Sequence, residues 1–89
     1  MRESIRTRKY IMTLHGEEEM VDDNLSIFDV ERVILTGQIT ERQKDQITGE
    51  WKYIVEGETI SLGFAIVVSK FSITGKLVII TVYKIEEER

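Results

Sequence analysis

Residues 26–37 read SIFDVERVILTG, and the hydrophobic period of the chain changes where they end. Ile27, Val30, Val33 and Ile34 fall at i, i+3, i+6 and i+7, one face of a 3.6-residue repeat. Ser26 followed by Asp29 is an S-x-x-D arrangement, in which two side chains satisfy the orphan N–H groups of a helix start. Gly37 stands where a C′ glycine ends a helix. Upstream, Thr13 caps a further helix over about 14–24, whose apolar stripe is thin: Leu14, Met20, Val21 and Leu25. The short join between the two helices demands a helical hairpin or corner. Tyr10-Ile11-Met12 fits either an opening strand or the start of the first helix, because three residues are too few to carry a period.

After Gly37 the period is two. Gln38 to Gln46 is polar and charged, which suits an edge strand guarded against pairing with other chains. Thr48-Gly49-Glu50 reads as a turn, and Trp51, Tyr53 and Val55 then alternate with Lys52, Ile54 and Glu56 as a half-buried strand. Gly57-Glu58-Thr59 reads as a second turn. Ile60, Leu62, Phe64, Ile66 and Val68 share one face of the next segment; Ser61, Gly63, Ala65 and Val67 form a smaller face onto which a helix can pack closely. Thr74-Gly75 makes the last turn before the β-prone run Lys76 to Ile85. Connections this short are hairpins. The expected fold is α+β: two N-terminal helices packed on an antiparallel meander of about four strands.

Composition narrows the function classes. The chain has 89 residues, 12 Lys and Arg against 16 Asp and Glu, a net charge of -4, and neither Cys nor Pro. That length is one domain, 1–89. Without Cys there is no disulfide framework, thiolate nucleophile or zinc ribbon. No apolar run approaches the roughly 18–20 residues that cross a bilayer, and Met1 to Arg6 lacks the apolar centre of a signal peptide. A cytoplasmic protein without a membrane partner is expected. The charge is asymmetric. A basic arm, residues 1–9 with Arg2, Arg6, Arg8 and Lys9, reads as a solvated terminus. It precedes an acidic block of Glu17, Glu18, Glu19, Asp22, Asp23, Asp29 and Glu31, and residues 86–89 form an acidic tail. Net acidity disfavours nucleic acid, whose binders neutralise phosphates with Lys and Arg, whereas the acidic helix face can attract a basic partner.

No phosphate-binding glycine loop, dinucleotide fingerprint or nucleophile elbow occurs in the sequence. Asp22-Asp23-Asn24 lacks the downstream Gly and Glu of a calcium loop. His15, the one histidine, shares a helical face with Glu18 and Glu19. That arrangement permits a general acid or base, a metal clip or a plain hydrogen-bonded pair; a metal needs more ligands than this face offers, so neither metal nor cofactor is expected. Thr81 and Tyr83 share a face of the last strand in apolar surroundings. Trp51 and Tyr53 alternate like core residues, the alternative being stacking on bases.

The order of these pieces resembles a family of small bacterial and archaeal domains of unknown function with a barnase/RelE-like fold. Its pattern opens with His-Ala-x-x-Arg-Met, matched by His15-Gly16-Glu17-Glu18-Glu19-Met20, and continues with Arg-Gly-Ile-Ser, matched by Asp23-Asn24-Leu25-Ser26. An Arg-Tyr-x-x-x-Gly strand corresponds to Lys52-Tyr53-Ile54-Val55-Glu56-Gly57, and an Ile-x-Thr-Val-Tyr close to Ile79-Ile80-Thr81-Val82-Tyr83. The resemblance implies a toxin-like fold whose relatives cleave RNA, with His15 as general base and Thr81 and Tyr83 in the catalytic site. Arg8, Lys9, Arg32, Arg42 and Lys52 are the candidate contacts to RNA or to a protein partner. Glu19 and Asp23, however, occupy the family's arginine positions. Two such charge inversions repel a phosphodiester by several kcal/mol, to order of magnitude, if the site is desolvated. The expected function is therefore a degenerate, non-catalytic toxin-like domain acting through a protein partner of antitoxin-like or basic character; the alternative is a ribonuclease. The oligomeric state is not legible at this level.

Overall fold

The computed structural model describes residues 1–7 and 9–85. Arg8 and the acidic tail, both singled out above, lie outside the described residues. The elements in chain order are α1 (Arg2–Arg6), β1 (Tyr10–Met12), α2 (Leu14–Asp22), α3 (Ile27–Thr36), β2 (Gln38–Lys44), β3 (Trp51–Glu58), β4 (Phe64–Phe71) and β5 (Leu77–Ile85). The class is α+β as expected, but the sheet is five-stranded and mixed, in the order β1-β5-β4-β3-β2. β2 to β5 form the antiparallel meander. The purely antiparallel, four-stranded expectation is corrected by β1, which pairs parallel with β5 through Tyr10↔Leu77 and Met12↔Ile79. Three residues show no period, and a parallel partner 67 positions away leaves no turn signal between them.

Helix α3 starts as its sequence dictates. The Asp29 N–H donates to Ser26 Oγ, and the Ser26 N–H donates to Asp29 Oδ2 at 2.9 Å, closing the capping box. Its inner face buries Val30, Val33 and Ile34 against Val55, Ala65, Val67 and Val82 of the sheet. Each such aliphatic side chain contributes about 1.5–3 kcal/mol by leaving water. The small-residue face of β4 is indeed the one covered. Ile5, from α1, and Leu25 complete this core. The expected solvated arm is thus helical over Arg2–Arg6, because Ile5 plugs the core and Met1 Sδ accepts the buried Ser69 hydroxyl.

Two expected glycine roles change. Gly37 does end α3, but in an extended conformation (φ -81°, ψ -172°) rather than a left-handed one. Space is its reason: a Cβ there would stand 2.4 Å from Val33 O and 2.5 Å from Glu56 O. Gly57 is not in a turn but inside β3, where a Cβ would come within 2.9 Å of Gly37 Cα. The two glycines let the end of α3 touch β3 backbone to backbone, and the turn moves to 59–63. There the buried Thr59 accepts the Gly63 N–H, Leu62 takes φ 66°, and the Ile60 N–H donates to Asp29 Oδ1 at 2.9 Å.

The core lies on one side of the sheet only. Ile54, Ile66 and Val68 point to the other side, in register across β3 and β4, and none belongs to the core. Trp51, expected among core residues, is 43% exposed near the free end of the β2–β3 hairpin. α3 does not reach that end, and Arg42 and Lys44 stack over the indole at 5.5 and 5.8 Å instead. Tyr53 remains half-buried, edge-on to Phe71. No helix among the described residues is long and apolar enough to cross a membrane.

Candidate functional site

Helix α2 occupies the edge of β5 that β1 leaves uncovered. The strand edge and the helix satisfy one another. The Thr13 N–H donates to Ile79 O at 2.9 Å, its hydroxyl donates to Ile80 O, and its Oγ1 accepts the Gly16 N–H as the helix N-cap. A bulge in β5, where Val68 pairs with Thr81 but Ser69 with Ile79, turns both carbonyls toward Thr13. At the far end the Lys84 N–H donates to Asp23 Oδ2 at 2.8 Å. Between these anchors Gly16 lies against the strand, where a Cβ would stand 3.2 Å from Ile79 O and 3.3 Å from Ile80 O. Asn24 (φ 55°) then ends the helix: its N–H donates to Val21 O, and the Leu25 N–H donates to Met20 O, a Schellman closure. The helix therefore stops at Asp22, short of the expected 24.

This seating decides which side of α2 faces water. Gly16 and Met20 turn inward at i, i+4. Leu14 and Val21, expected in the buried stripe, are 71% and 68% exposed. With Glu17, Glu18 and Asp22 they line a shallow surface groove, two aliphatic side chains among three carboxylates. The helix carries no basic residue in its last turn, and Glu18 and Asp22 sit one turn apart. Repulsion within the helix and between Asp22 and the helix dipole costs a few tenths of a kcal/mol each. Glu17, in the first turn, favours the helix dipole, but Glu18 and Asp22 do not serve the stability of α2.

His15 flanks Gly16, exposed, with Nε2 2.6 Å from Glu19 Oε1. Glu19 Oε1 is almost closed to solvent. Thr81 and Tyr83 lie on the open face of β5, in register with Val68 and Ile66. Among the described residues no hydrogen bond or ion pair joins His15 to either of them.

The cationic candidates are dispersed. Arg32 lines a groove with Thr36, Thr40 and Glu58, beside the α3–β3 crossing. Arg42 stacks on Trp51. Lys52 lines a small hollow with Thr13, Lys70 and Glu50, in which Glu50 pairs with Lys70 at 3.2 Å. Asp45 borders the same hollow; the N–H groups of Thr48 and Ile47 hold its carboxyl below the ordinary range. Lys9 is exposed. No group of three His, Asp or Glu side chains suited to a metal occurs among the described residues.

A family model described as a domain of unknown function, DUF4258, matches residues 12–84. The chain belongs to the DUF4258 family. No curated protein and no solved structure matches it. In this DUF4258 domain Asp23 is part of the architecture, since it accepts the Lys84 N–H, which an arginine cannot do. Sequence reading missed the apolar half of the α2 groove. The signal was present: Gly16 and Met20, four apart, define an inward line that leaves Leu14 and Val21 behind.

Proposed function

We propose that this DUF4258 domain is a non-catalytic interaction module that binds a basic, amphipathic protein segment on the outward face of α2. The supporting observation is the groove in which exposed Leu14 and Val21 stand seven residues apart among Glu17, Glu18 and Asp22. A partner helix with leucines on one stripe and lysines beside it matches both features: the aliphatic side chains leave water together, and the rim charges set orientation and approach rate. Glu18 and Asp22, which burden the helix in isolation, then become favourable. An antitoxin-like protein with a basic helix is one partner of this chemistry.

A labelled amphipathic peptide of Leu and Lys, followed by fluorescence anisotropy, tests this reading. Binding should weaken at least tenfold in Leu14→Asp/Val21→Asp, and weaken with salt. Equal affinity of the wild type and that variant sinks the proposal.

The ribonuclease alternative draws on the His15–Glu19 pair, a carboxylate beside an imidazole of the kind that orients a general base. Against it, the nearby charge is negative, and Arg32 and Arg42 engage other parts of the surface. A cleaving site needs a cation where the phosphorane forms. RNA incubated with the purified protein should remain intact; cleavage that vanishes in His15→Ala reverses the order of the two readings.

A further inference from the structure

Strand β2 closes one edge of the sheet, opposite the edge that β1 and α2 occupy. Every residue of Gln38–Lys44 is exposed, and β3 is its one neighbouring strand among the described residues. The row of N–H and C=O groups that points away from β3 therefore has no strand to bond, and no turn or loop backbone among the described residues bonds to it. The register fixes which side chains flank this row. Ile39, Arg42 and Lys44 stand opposite Val55, Tyr53 and Trp51, so all three lie on the side of the sheet that carries the core. The bulge at Thr40 keeps them in line. Glu41 and Gln43 fall on the other side, where Gln43 Nε2 donates to Glu41 Oε1 at 3.2 Å. Arg42 and Lys44 rest on the Trp51 indole, and neither is paired with a carboxylate of the described residues. Beyond them Ile39, 51% exposed, borders a hollow of about 560 Å³ whose apolar wall includes Met1, Ile34 and Val55.

We infer that β2 is the docking edge for an acidic, extended peptide segment of another protein, which adds to the sheet antiparallel to β2. The edge dictates the pattern of its ligand. Alternate side chains of a strand laid antiparallel on β2 meet Lys44, Arg42 and Ile39 in that order, which reads Glu-x-Glu-x-Leu. Each carboxylate then stands across from an unpaired cation, and the leucine turns into the hollow beside Ile39. Main-chain hydrogen bonds to the open row supply affinity, and the flanking side chains supply selection. The same two cations act against other strands. A basic strand is repelled, and a neutral one leaves both cations crowded without a partner. A single-stranded nucleic acid would use the cations and the indole but neither the backbone row nor the apolar hollow, so a peptide accounts for more of this edge. The α2 groove lies at the opposite edge, so the inference stands independently of the function proposed above.

A labelled peptide Glu-Thr-Glu-Thr-Leu, blocked at both ends and titrated with the full chain by fluorescence anisotropy, tests the inference. Binding should weaken at least about tenfold in Arg42→Glu/Lys44→Glu, and the peptide Lys-Thr-Lys-Thr-Leu should bind that variant instead. Both substituted side chains are exposed, and circular dichroism checks that the variant folds. Strand addition has a signature that plain charge attraction lacks. Only alternate N–H groups of the added strand face β2. N-methylation of the Glu and Leu residues and N-methylation of the Thr residues should therefore differ at least about tenfold in their effect on binding. Leu14→Asp/Val21→Asp should bind the peptide as the wild type does, which separates this edge from the α2 groove. A wild-type Kd weaker than about 1 mM overturns the inference. So does equal affinity of the two peptides for the wild type, or an equal effect of the two methylation patterns. A single-stranded oligouridylate that binds through Arg42 and Lys44 where the peptide does not overturns it as well, and assigns the edge to nucleic acid.

Discussion

Replacing Asp29 by alanine removes the carboxylate that ties the start of α3 to the turn between β3 and β4. Asp29 is only 7% exposed. Its Oδ2 accepts from the Ser26 N–H at 2.9 Å and the Ser26 hydroxyl at 3.1 Å, and its Oδ1 accepts from the Ile60 N–H at 2.9 Å. Burial pushes the carboxyl pKa up, but these donors outweigh burial and hold it below the ordinary value of 3.8. A hydrogen bond to a charged group contributes about 1.5–3 kcal/mol, and three sharing one carboxylate add up to less than their sum. Asp29→Ala also strands two backbone N–H groups. The expected loss is about 3–4 kcal/mol, against a total of about 5–13 kcal/mol for a chain of this length. Asp29→Asn keeps one acceptor but turns an NH₂ toward a donor, and should lose about 2 kcal/mol.

Urea titrations followed by circular dichroism at several pH values measure both effects. A depressed folded-state pKa means that the unfolded chain takes up the proton first. The Asp29 contribution is therefore complete above the unfolded value near 3.9 and disappears as pH falls through the folded value. Wild-type stability should drop over that acidic window more steeply than that of Asp29→Asn. A loss below about 1 kcal/mol for Asp29→Ala, or identical acid limbs for wild type and Asp29→Asn, refutes the reasoning.

Further outcomes follow from neighbouring features. Ser26→Ala leaves the Asp29 carboxylate in place and should cost about 1 kcal/mol in the same titration, the value of one helix cap. Gly37→Ala drives a methyl group into Val33 O and Glu56 O, both backbone atoms, and should cost at least about 2 kcal/mol; Gly57→Ala, with its closest contact at 2.9 Å, should cost less. The double variant should lose less than the sum, since one displacement of α3 relieves both clashes. Trp51 fluorescence should change in Arg42→Ala/Lys44→Ala with the melting temperature nearly unmoved, because that stack is exposed.

Local chemistry made much of this legible. The Ser26–Asp29 capping box, the Val30–Val33–Ile34 stripe, the Thr13 cap and the edge position of the polar β2 depend on residues a few positions apart, so the chain order states them directly. The small-residue face of β4 predicted its helix because close approach needs short side chains. Other features depended on distant backbones. β1 became a strand only because the end of β5 offered it a free edge. Leu14 and Val21 match a buried stripe in sequence, and only the seating of Gly16 against Ile79 and Ile80 turns them to water. Gly37 reads as a left-handed cap, yet its glycine is required by a carbonyl nineteen residues downstream. The candidate site divides in the same way. His15 and Glu19 were paired by helical spacing alone, whereas the separation of Arg32 and Arg42 from them follows from which strand each element crosses. Period and capping are properties of neighbours along the chain; edges, clashes and exposure arise only when segments far apart in sequence meet.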